Sequence, residues 1–235
     1  MSAAAPDAPW PHLFRPGAAD APVLVLLHGT GGNEHEVSRL ADVLDPNAAV
    51  LAPRGRVQEN GLNRWFRRLS EGVFDTDDVA RRADDLAGFL VWARKHYALG
   101  DRHLVAVGFS NGANIALATA LLHPEVLARV IAFSGMHPLD RVPTAPDSGT
   151  EPPTAVAAGS EHAIDVRLAQ TELAASTVLL LNGRQDPMAP LASVQKLVTA
   201  LVERGATVQQ ELRPGGHGIA ETDIAAAAAW LRNFS

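Results

Sequence analysis

Short apolar runs alternate with longer amphipathic segments along the chain. Residues 22–27 (PVLVLL) are apolar at every position, which is typical of a strand buried on both faces of a parallel sheet. Residues 208–212 alternate between apolar and polar, which favours a strand nearer the edge of that sheet. Between these two we predict further strands, at 48–53, 103–108, 128–133 and 177–181.

Segments with the periodicity of an amphipathic helix lie between most of these predicted strands. Over 75–98, apolar residues recur every three or four positions, as on the buried face of a helix, and Asp75 or Thr76 can cap the first turn. Strands that alternate with helices indicate an α/β fold, in which helices flank both faces of a mostly parallel central sheet. We find no boundary between two cores, so residues 1–235 are predicted to form a single domain. The other predicted helices cover 111–122, 191–204 and 223–231.

Two segments do not follow this alternation. Residues 1–20 precede the first predicted strand and are interpreted as an N-terminal extension. Residues 143–160 are rich in Pro, Ala, Gly, Ser and Thr, show no period, and are too long for a routine connection. We therefore expect 143–170 to be an irregular insertion or a lid.

The composition excludes several classes of function. The net charge is −6, which provides no basic surface for nucleic acid or for an anionic membrane. The chain has no cysteine, so disulfides, thiolate metal sites and a cysteine nucleophile are all excluded. The first residues do not resemble a signal peptide and the apolar runs are too short to span a bilayer, so a cytoplasmic protein is expected. No metal or other cofactor is predicted.

One motif indicates covalent catalysis. Residues 108–112 (GFSNG) match G-x-S-x-G at the point where a predicted strand turns into a predicted helix, and that turn exposes a serine hydroxyl above the edge of the sheet. Small residues are required in so tight a turn. The alternative is a Gly/Ser turn with no chemistry. The context favours Ser110 as a nucleophile.

A serine nucleophile needs a base and an acid. His217, in PGGHGI between the last strand and the last helix, stands where the chain order Ser, Asp, His puts the base, while His137 is the competing histidine. Asp186 follows the strand at 177–181 and is the favoured acid, although Asp-Pro is also a common turn starter. Asp140, after the preceding strand, is the competing acid.

Backbone amides are expected to hold the negative charge that develops on the substrate oxygen. Asn111 follows the nucleophile and begins a helix, so its amide is one predicted donor. The loop 28–34 (HGTGGNE) lets the backbone approach a substrate closely, and Thr30 is its predicted donor. A phosphate cradle is disfavoured because neither nucleotide-binding glycine pattern is present.

Six segments together resemble the phospholipase/carboxylesterase family of α/β hydrolases, which is related to acyl-protein thioesterases. The similarity is strongest to a bacterial branch described as hydroquinone-stress or dienelactone-hydrolase-like carboxylesterases. The resemblance implies an α/β-hydrolase fold, a triad of Ser110, Asp186 and His217, and an oxyanion hole formed by Thr30 and Asn111. The segments are HGTGGNE at 28–34, PRG at 53–55, RWFRRLSEGVFDTDDV at 64–79, GFSNGANIA at 108–116, NGRQDPMAP at 182–190 and PGGHGI at 214–219.

The resemblance also implies where a substrate lies. Five residues are expected near it, although ordinary packing explains the aromatic-basic segment 64–66 equally well: Arg64, Trp65, Phe66, Met136 and Met188. The expected partner is a small-molecule ester, and a homodimer is the default assembly. A short acyl chain is expected because nothing in the sequence indicates an apolar cap domain or an interfacial helix. A thioesterase or lactone hydrolase on the same fold is the alternative. A non-catalytic binding protein on this scaffold is the remote one.

Overall fold

The computed structural model describes residues 10–70, 72–140 and 155–234, with the backbone alone for 155–162. In chain order, the strands are β1 (His12–Arg15), β2 (Val23–Leu27), β3 (Ala49–Pro53), β4 (Val57–Glu59), β5 (Leu62–Arg64), β6 (Arg68–Ser70), β7 (Val73–Phe74), β8 (Leu104–Phe109), β9 (Arg129–Phe133), β10 (Thr177–Gly183) and β11 (Thr207–Arg213). The helices are α1 (Glu34–Ser38), α2 (Leu40–Leu44), α3 (Thr76–His96), α4 (Asn111–Leu122), α5 (Ala155–Gln170), α6 (Leu191–Val202) and α7 (Glu221–Leu231), followed by a 3-10 helix, η1 (Arg232–Phe234).

Seven strands form the central sheet in the order β1-β3-β2-β8-β9-β10-β11. All neighbouring pairs are parallel except β1 with β3. In the parallel register, Leu27 of β2 lies beside Gly108 of β8, and Phe109 lies beside Phe133 of β9. The carboxyl ends of these strands therefore meet at one edge of the sheet, where open α/β sheets carry their ligands.

Two cores, one on each face of the sheet, explain why the central strands are apolar throughout. Val23, Val25 and Leu27 of β2 belong to the core beneath α3, α4, α5 and α6. Leu24 and Leu26 belong to the core beneath α2 and α7. Because successive strand residues face opposite sides, a strand covered on both sides must be apolar at every position.

The predicted architecture is confirmed. Each of the six predicted strands and four predicted helices is present, with ends displaced by a few residues, and β11 lies at the edge of the sheet. Asp75 caps α3 by accepting a hydrogen bond from the Asp78 amide. Within the described residues, no helix combines the length and apolar character required to cross a membrane.

The two segments outside the predicted alternation differ from expectation. The expected extension contributes β1, which pairs with β3 at the edge of the sheet. The expected irregular segment 143–170 contains helix α5, because an alanine-rich sequence favours a helix even where small side chains leave little apolar period to detect. Residues 141–154 lie outside the described residues, so the prediction of a lid there stays a prediction.

The start of α4 packs unusually close to the sheet. A Cβ added to Gly112 would overlap the Leu27 carbonyl oxygen at the end of β2. A Cβ added to Gly108 would overlap the Gly112 carbonyl oxygen in the same way. The two glycines of the motif are therefore required by close backbone approach, which brings the first turn of α4 against the ends of β2 and β8.

We predict that Gly112→Ala destabilises the fold by about 2 kcal/mol, because overpacked backbone must move apart. The matched control is Gly88→Ala, at an exposed position of α3 where an added Cβ meets no atom within 4 Å. That variant should gain about 0.5–1 kcal/mol because alanine favours a helix over glycine. Thermal unfolding measures both, and equal melting temperatures for the two variants would contradict the packing argument.

Candidate active site

Ser110 occupies the turn between β8 and α4 in a strained backbone conformation. Its φ is 53° and its ψ is −113°, a region that costs a non-glycine residue roughly 1–3 kcal/mol. Neighbouring backbone holds it there: the Ser110 amide donates to the Phe133 carbonyl at 2.9 Å, and the Ser110 carbonyl accepts from the Asn114 amide at 2.9 Å. The serine is thus fixed between a strand end and a helix start.

His217 lies in the loop between β11 and α7 and contacts Asp186, in the loop after β10. The His217 Nδ1 atom is 2.8 Å from Asp186 Oδ2, and the Asp186 side chain is fully buried. The other carboxylate oxygen accepts from the amides of Met188 at 2.8 Å and Ala189 at 3.1 Å. An ionised carboxylate accepts hydrogen bonds, so this contact fixes the proton on Nδ1 and leaves Nε2 as the basic nitrogen.

The imidazole lies beside the serine turn. The ring centroid of His217 is 5.1 Å from that of Phe109, the residue that precedes Ser110. The competing residues have other partners: Asp140 pairs with Lys196 Nζ at 2.8 Å, and His137 accepts from the Leu139 amide at 3.2 Å. Of the two candidate acids, the structure brings Asp186, and not Asp140, to His217.

Two residues that the sequence analysis missed hold the His217 loop. Arg213 donates to the Gly218 carbonyl at 2.7 Å and is anchored by Asp223 at 2.7 Å. Ser134 donates from Oγ to the same Gly218 carbonyl at 3.1 Å and accepts from the Gly218 amide at 3.3 Å. A positive φ of 51° at Ser134 is the structural signal that marks it. The contact joins residues 84 positions apart, which no local motif reveals.

The two expected oxyanion donors belong to adjacent segments. Asn111 is the first residue of α4, and Thr30 lies in the loop after β2. Among the described residues, neither backbone amide donates to another protein atom. The side chains support the loops instead: Asn111 Oδ1 accepts from the Trp65 amide at 2.7 Å, and Thr30 Oγ1 accepts from Arg64 Nη1 at 3.1 Å. Both amides are thus available as donors.

Hydrogen bonds join the segments HGTGGNE (28–34) and PRG (53–55) next to the expected oxyanion donors. His28 Nε2 accepts from the Gly55 amide at 2.9 Å, and its Nδ1 bonds to the Gly29 carbonyl at 2.7 Å. Burial lowers the pKa of His28, and the hydrogen bond that Nε2 accepts from Gly55 also favours the neutral imidazole. Glu34, whose side chain is 5% exposed, accepts from Arg54 Nε at 2.6 Å and Nη2 at 2.5 Å. The Arg54 hydrogen bond is the main cause of a lowered Glu34 pKa.

A cavity of about 560 Å³ opens at this edge of the sheet. Among the residues expected near a substrate, Arg64, Met136 and Met188 line it. Trp65 and Phe66 do not, so the expectation for these two is corrected: both are almost fully buried and pack in the core. Other lining residues include Thr30, Arg68, Ser110, Asn111, Asn114, Ser134, His137, Asp140 and Lys196.

Packing explains the burial of the two aromatic residues. Trp65 Nε1 donates to the His28 carbonyl at 2.9 Å, which satisfies the indole inside the core. The Phe66 ring lies edge-on to Phe74, with centroids 5.0 Å apart. Both side chains therefore support the walls of the site from behind and make no contact with its interior.

The fold and the arrangement at this sheet edge define an α/β hydrolase. The pattern of the phospholipase/carboxylesterase family matches residues 11–171, and the chain belongs to that family. It is 34% identical to MhqD of Bacillus subtilis strain 168 over 221 residues, which cover 94% of this chain and 97% of that protein.

Solved carboxylesterases share the fold. The Bacillus cereus carboxylesterase is 33% identical with a TM-score of 0.79, over 97% of this chain and 96% of that one. The Mesorhizobium loti carboxylesterase is 28% identical with a TM-score of 0.78, over 96% of both chains. Together with the family membership, these similarities make the protein a carboxylic ester hydrolase.

We predict that Glu34→Gln costs about 2 kcal/mol of stability at pH 7, because charged hydrogen bonds to Arg54 are lost. The folded-state pKa of Glu34 is lowered, so its contribution is complete above the unfolded pKa and is lost as the pH falls through the folded value. The difference in unfolding free energy between wild type and Glu34→Gln should therefore become smaller below about pH 4. Urea unfolding across pH measures it, with the exposed neighbour Glu36→Gln as control. A gap that stays constant down to pH 2–3 (about two units below the unfolded value) would contradict the pairing.

Proposed function

We propose that the protein is a serine carboxylesterase in which Ser110 is the nucleophile, His217 the general base and Asp186 the residue that orients the imidazole. The observation that carries the proposal is the 2.8 Å contact between His217 Nδ1 and the buried Asp186 Oδ2, beside the turn that exposes Ser110. A base that is itself oriented by a third group, next to a potential nucleophile, is the arrangement that covalent catalysis requires.

The reaction proceeds in two halves. His217 Nε2 accepts the hydroxyl proton as Ser110 Oγ attacks the ester carbonyl carbon, and the carbonyl oxygen becomes an oxyanion. The amides of Thr30 and Asn111 donate to that oxyanion, with help from the α4 dipole. The tetrahedral intermediate collapses, and the alcohol leaves with the proton from His217. Water then repeats the sequence on the acyl-enzyme, which releases the carboxylic acid and restores Ser110.

Asp186 acts through charge and orientation. Its buried carboxylate stabilises the imidazolium that forms when His217 holds the proton. The amides of Met188 and Ala189 fix the carboxylate from the other side, so the pair is preorganised before a substrate binds. Little reorganisation is then required during the reaction.

We predict that Ser110→Ala lowers kcat on p-nitrophenyl butyrate by about ten-thousand-fold or more, because the acyl-enzyme cannot form. The release of p-nitrophenolate measures it, with circular dichroism to verify folding. Turnover within ten-fold of wild type would sink the assignment of the nucleophile.

Asp186→Asn and Asp140→Asn separate the two candidate acids. Asparagine at 186 removes the charge that stabilises the imidazolium and supports the wrong tautomer, so kcat should fall by about ten-thousand-fold. Asp140 pairs with Lys196 near the cavity, and its replacement should change kcat by less than about ten-fold. A large loss in the Asp140 variant alone, in the same assay, would reverse the assignment.

Short acyl chains are the proposed substrates. Arg64, Arg68 and Lys196 line the cavity beside apolar residues such as Phe74 and Met188. A short alkyl chain can contact the apolar residues, whereas a longer one would also displace water from the charged side chains without replacing its hydrogen bonds. Across p-nitrophenyl esters from acetate to palmitate, kcat/KM should peak at four carbons or fewer. A maximum at eight carbons or more would refute the preference.

A further inference from the structure

The guanidinium of Arg64 is buried at the wall of the catalytic cavity. Its side chain is 5% exposed, and it lines the cavity together with Ser110, Thr30 and Asn111. Burying a charge is costly unless the charge is paired, so the partners of Arg64 determine what it can bind.

Arg64 is rigidly held but only partly satisfied. Nη1 donates to Thr30 Oγ1 at 3.1 Å, and Nε donates to the Phe66 carbonyl at 3.3 Å and lies 3.0 Å from Glu59 Oε2. Among the described residues, Nη2 has no hydrogen-bond partner. The guanidinium therefore keeps N–H groups without a protein partner in a residue that lines the cavity, and such a group suits a carboxylate.

A second arginine adds to the same charge. Arg68 lines the cavity and pairs with the other oxygen of Glu59, Oε1, at 3.0 Å. One carboxylate thus serves two guanidinium groups, and the remaining ion pair of the lining, Lys196 with Asp140, is neutral as a unit. The cavity wall carries a surplus positive charge in a protein whose net charge is −6.

From this geometry we infer that the enzyme prefers esters that carry a carboxylate, which Arg64 and Arg68 bind while the ester carbonyl meets Ser110. The inference rests on the proposed function, because it takes Ser110 as the point of attack. The ester bond breaks in the same way as in a neutral substrate. The carboxylate contributes binding and orientation only, and no further reactant is needed.

Pairs of esters of nearly equal size, one with a carboxylate and one with a neutral amide in its place, test this preference. The first pair is ethyl hemiglutarate, which carries a carboxylate on the acyl side, and its neutral amide, ethyl glutaramate. The second pair is 3-carboxyphenyl butyrate, which carries a carboxylate on the alcohol side, and its neutral amide, 3-carbamoylphenyl butyrate. Proton release in a pH-stat follows all four. We expect kcat/KM to favour the charged member of one pair by about ten-fold at low salt, since a charged hydrogen bond contributes roughly that much, and to favour it less at high salt.

Variants identify the residues responsible. Arg64→Gln and Arg68→Gln should each bring the charged-to-neutral ratio towards one. Using the ratio cancels any general loss of activity. Arg68, whose side chain is 33% exposed, keeps the test decisive if Arg64→Gln fails to fold. Arg232→Gln removes the same charge from η1, which packs near His103 and Arg129 at the opposite edge of the sheet, and should leave the ratio unchanged.

Three outcomes would overturn the inference. The first is equal kcat/KM for charged and neutral esters in the wild type. The second is a preference that survives in both Arg64→Gln and Arg68→Gln, and the third is a preference that disappears in Arg232→Gln. Hydrolysis of p-nitrophenyl butyrate tells these results apart from a failure of the proposed function: if the wild type cleaves neither that ester nor the two pairs, the esterase mechanism and the inference fall together.

Discussion

The close approach of helix α4 to the sheet is the constraint on which the rest of the site depends. There is no room for a side chain at Gly112, because an added Cβ would overlap the Leu27 carbonyl oxygen. At this short distance from the sheet, the chain passes from β8 into α4 in a single tight turn. Ser110 occupies that turn with φ at 53°. The same approach brings the amide of Asn111 towards the loop that carries Thr30. The close packing of α4 therefore exposes the Ser110 hydroxyl and places the first amides of α4 next to it. The packing of the two cores that flank the sheet offsets the backbone strain at Ser110.

Hydrogen bonds between distant segments fix the loops that surround this turn. Glu34 and Arg54 join the start of α1 to the loop after β3, while Ser134 and Arg213 hold the loop that carries His217. Charged donors and acceptors predominate in these contacts, and such bonds are stronger than neutral ones. The geometry of the candidate site thus depends on a hydrogen-bond network whose members lie at the ends of several strands, as a preorganised site would require.

The fold and the arrangement of the candidate site were predictable from the sequence to different degrees. An apolar run such as 22–27 directly predicts a strand that is buried on both faces. A serine between glycines at a strand-to-helix boundary predicts a tight turn. Helix α5 was missed because its small side chains leave no clear period. The roles of Ser134 and Arg213 depend on tertiary contacts, and the aromatic residues Trp65 and Phe66 look the same in sequence whether they line a cavity or, as here, support it from the core.

The central claim is that Ser110 becomes covalently acylated. The most direct measurement is labelling of the folded protein with a fluorophosphonate, which reacts with activated serine hydroxyls, followed by mass spectrometry of the proteolytic peptides. The account predicts one adduct, on the peptide that contains Ser110, with its formation slowed by a competing ester. An adduct on another serine, or an enzyme that hydrolyses esters while its Ser110 stays unlabelled, would contradict it.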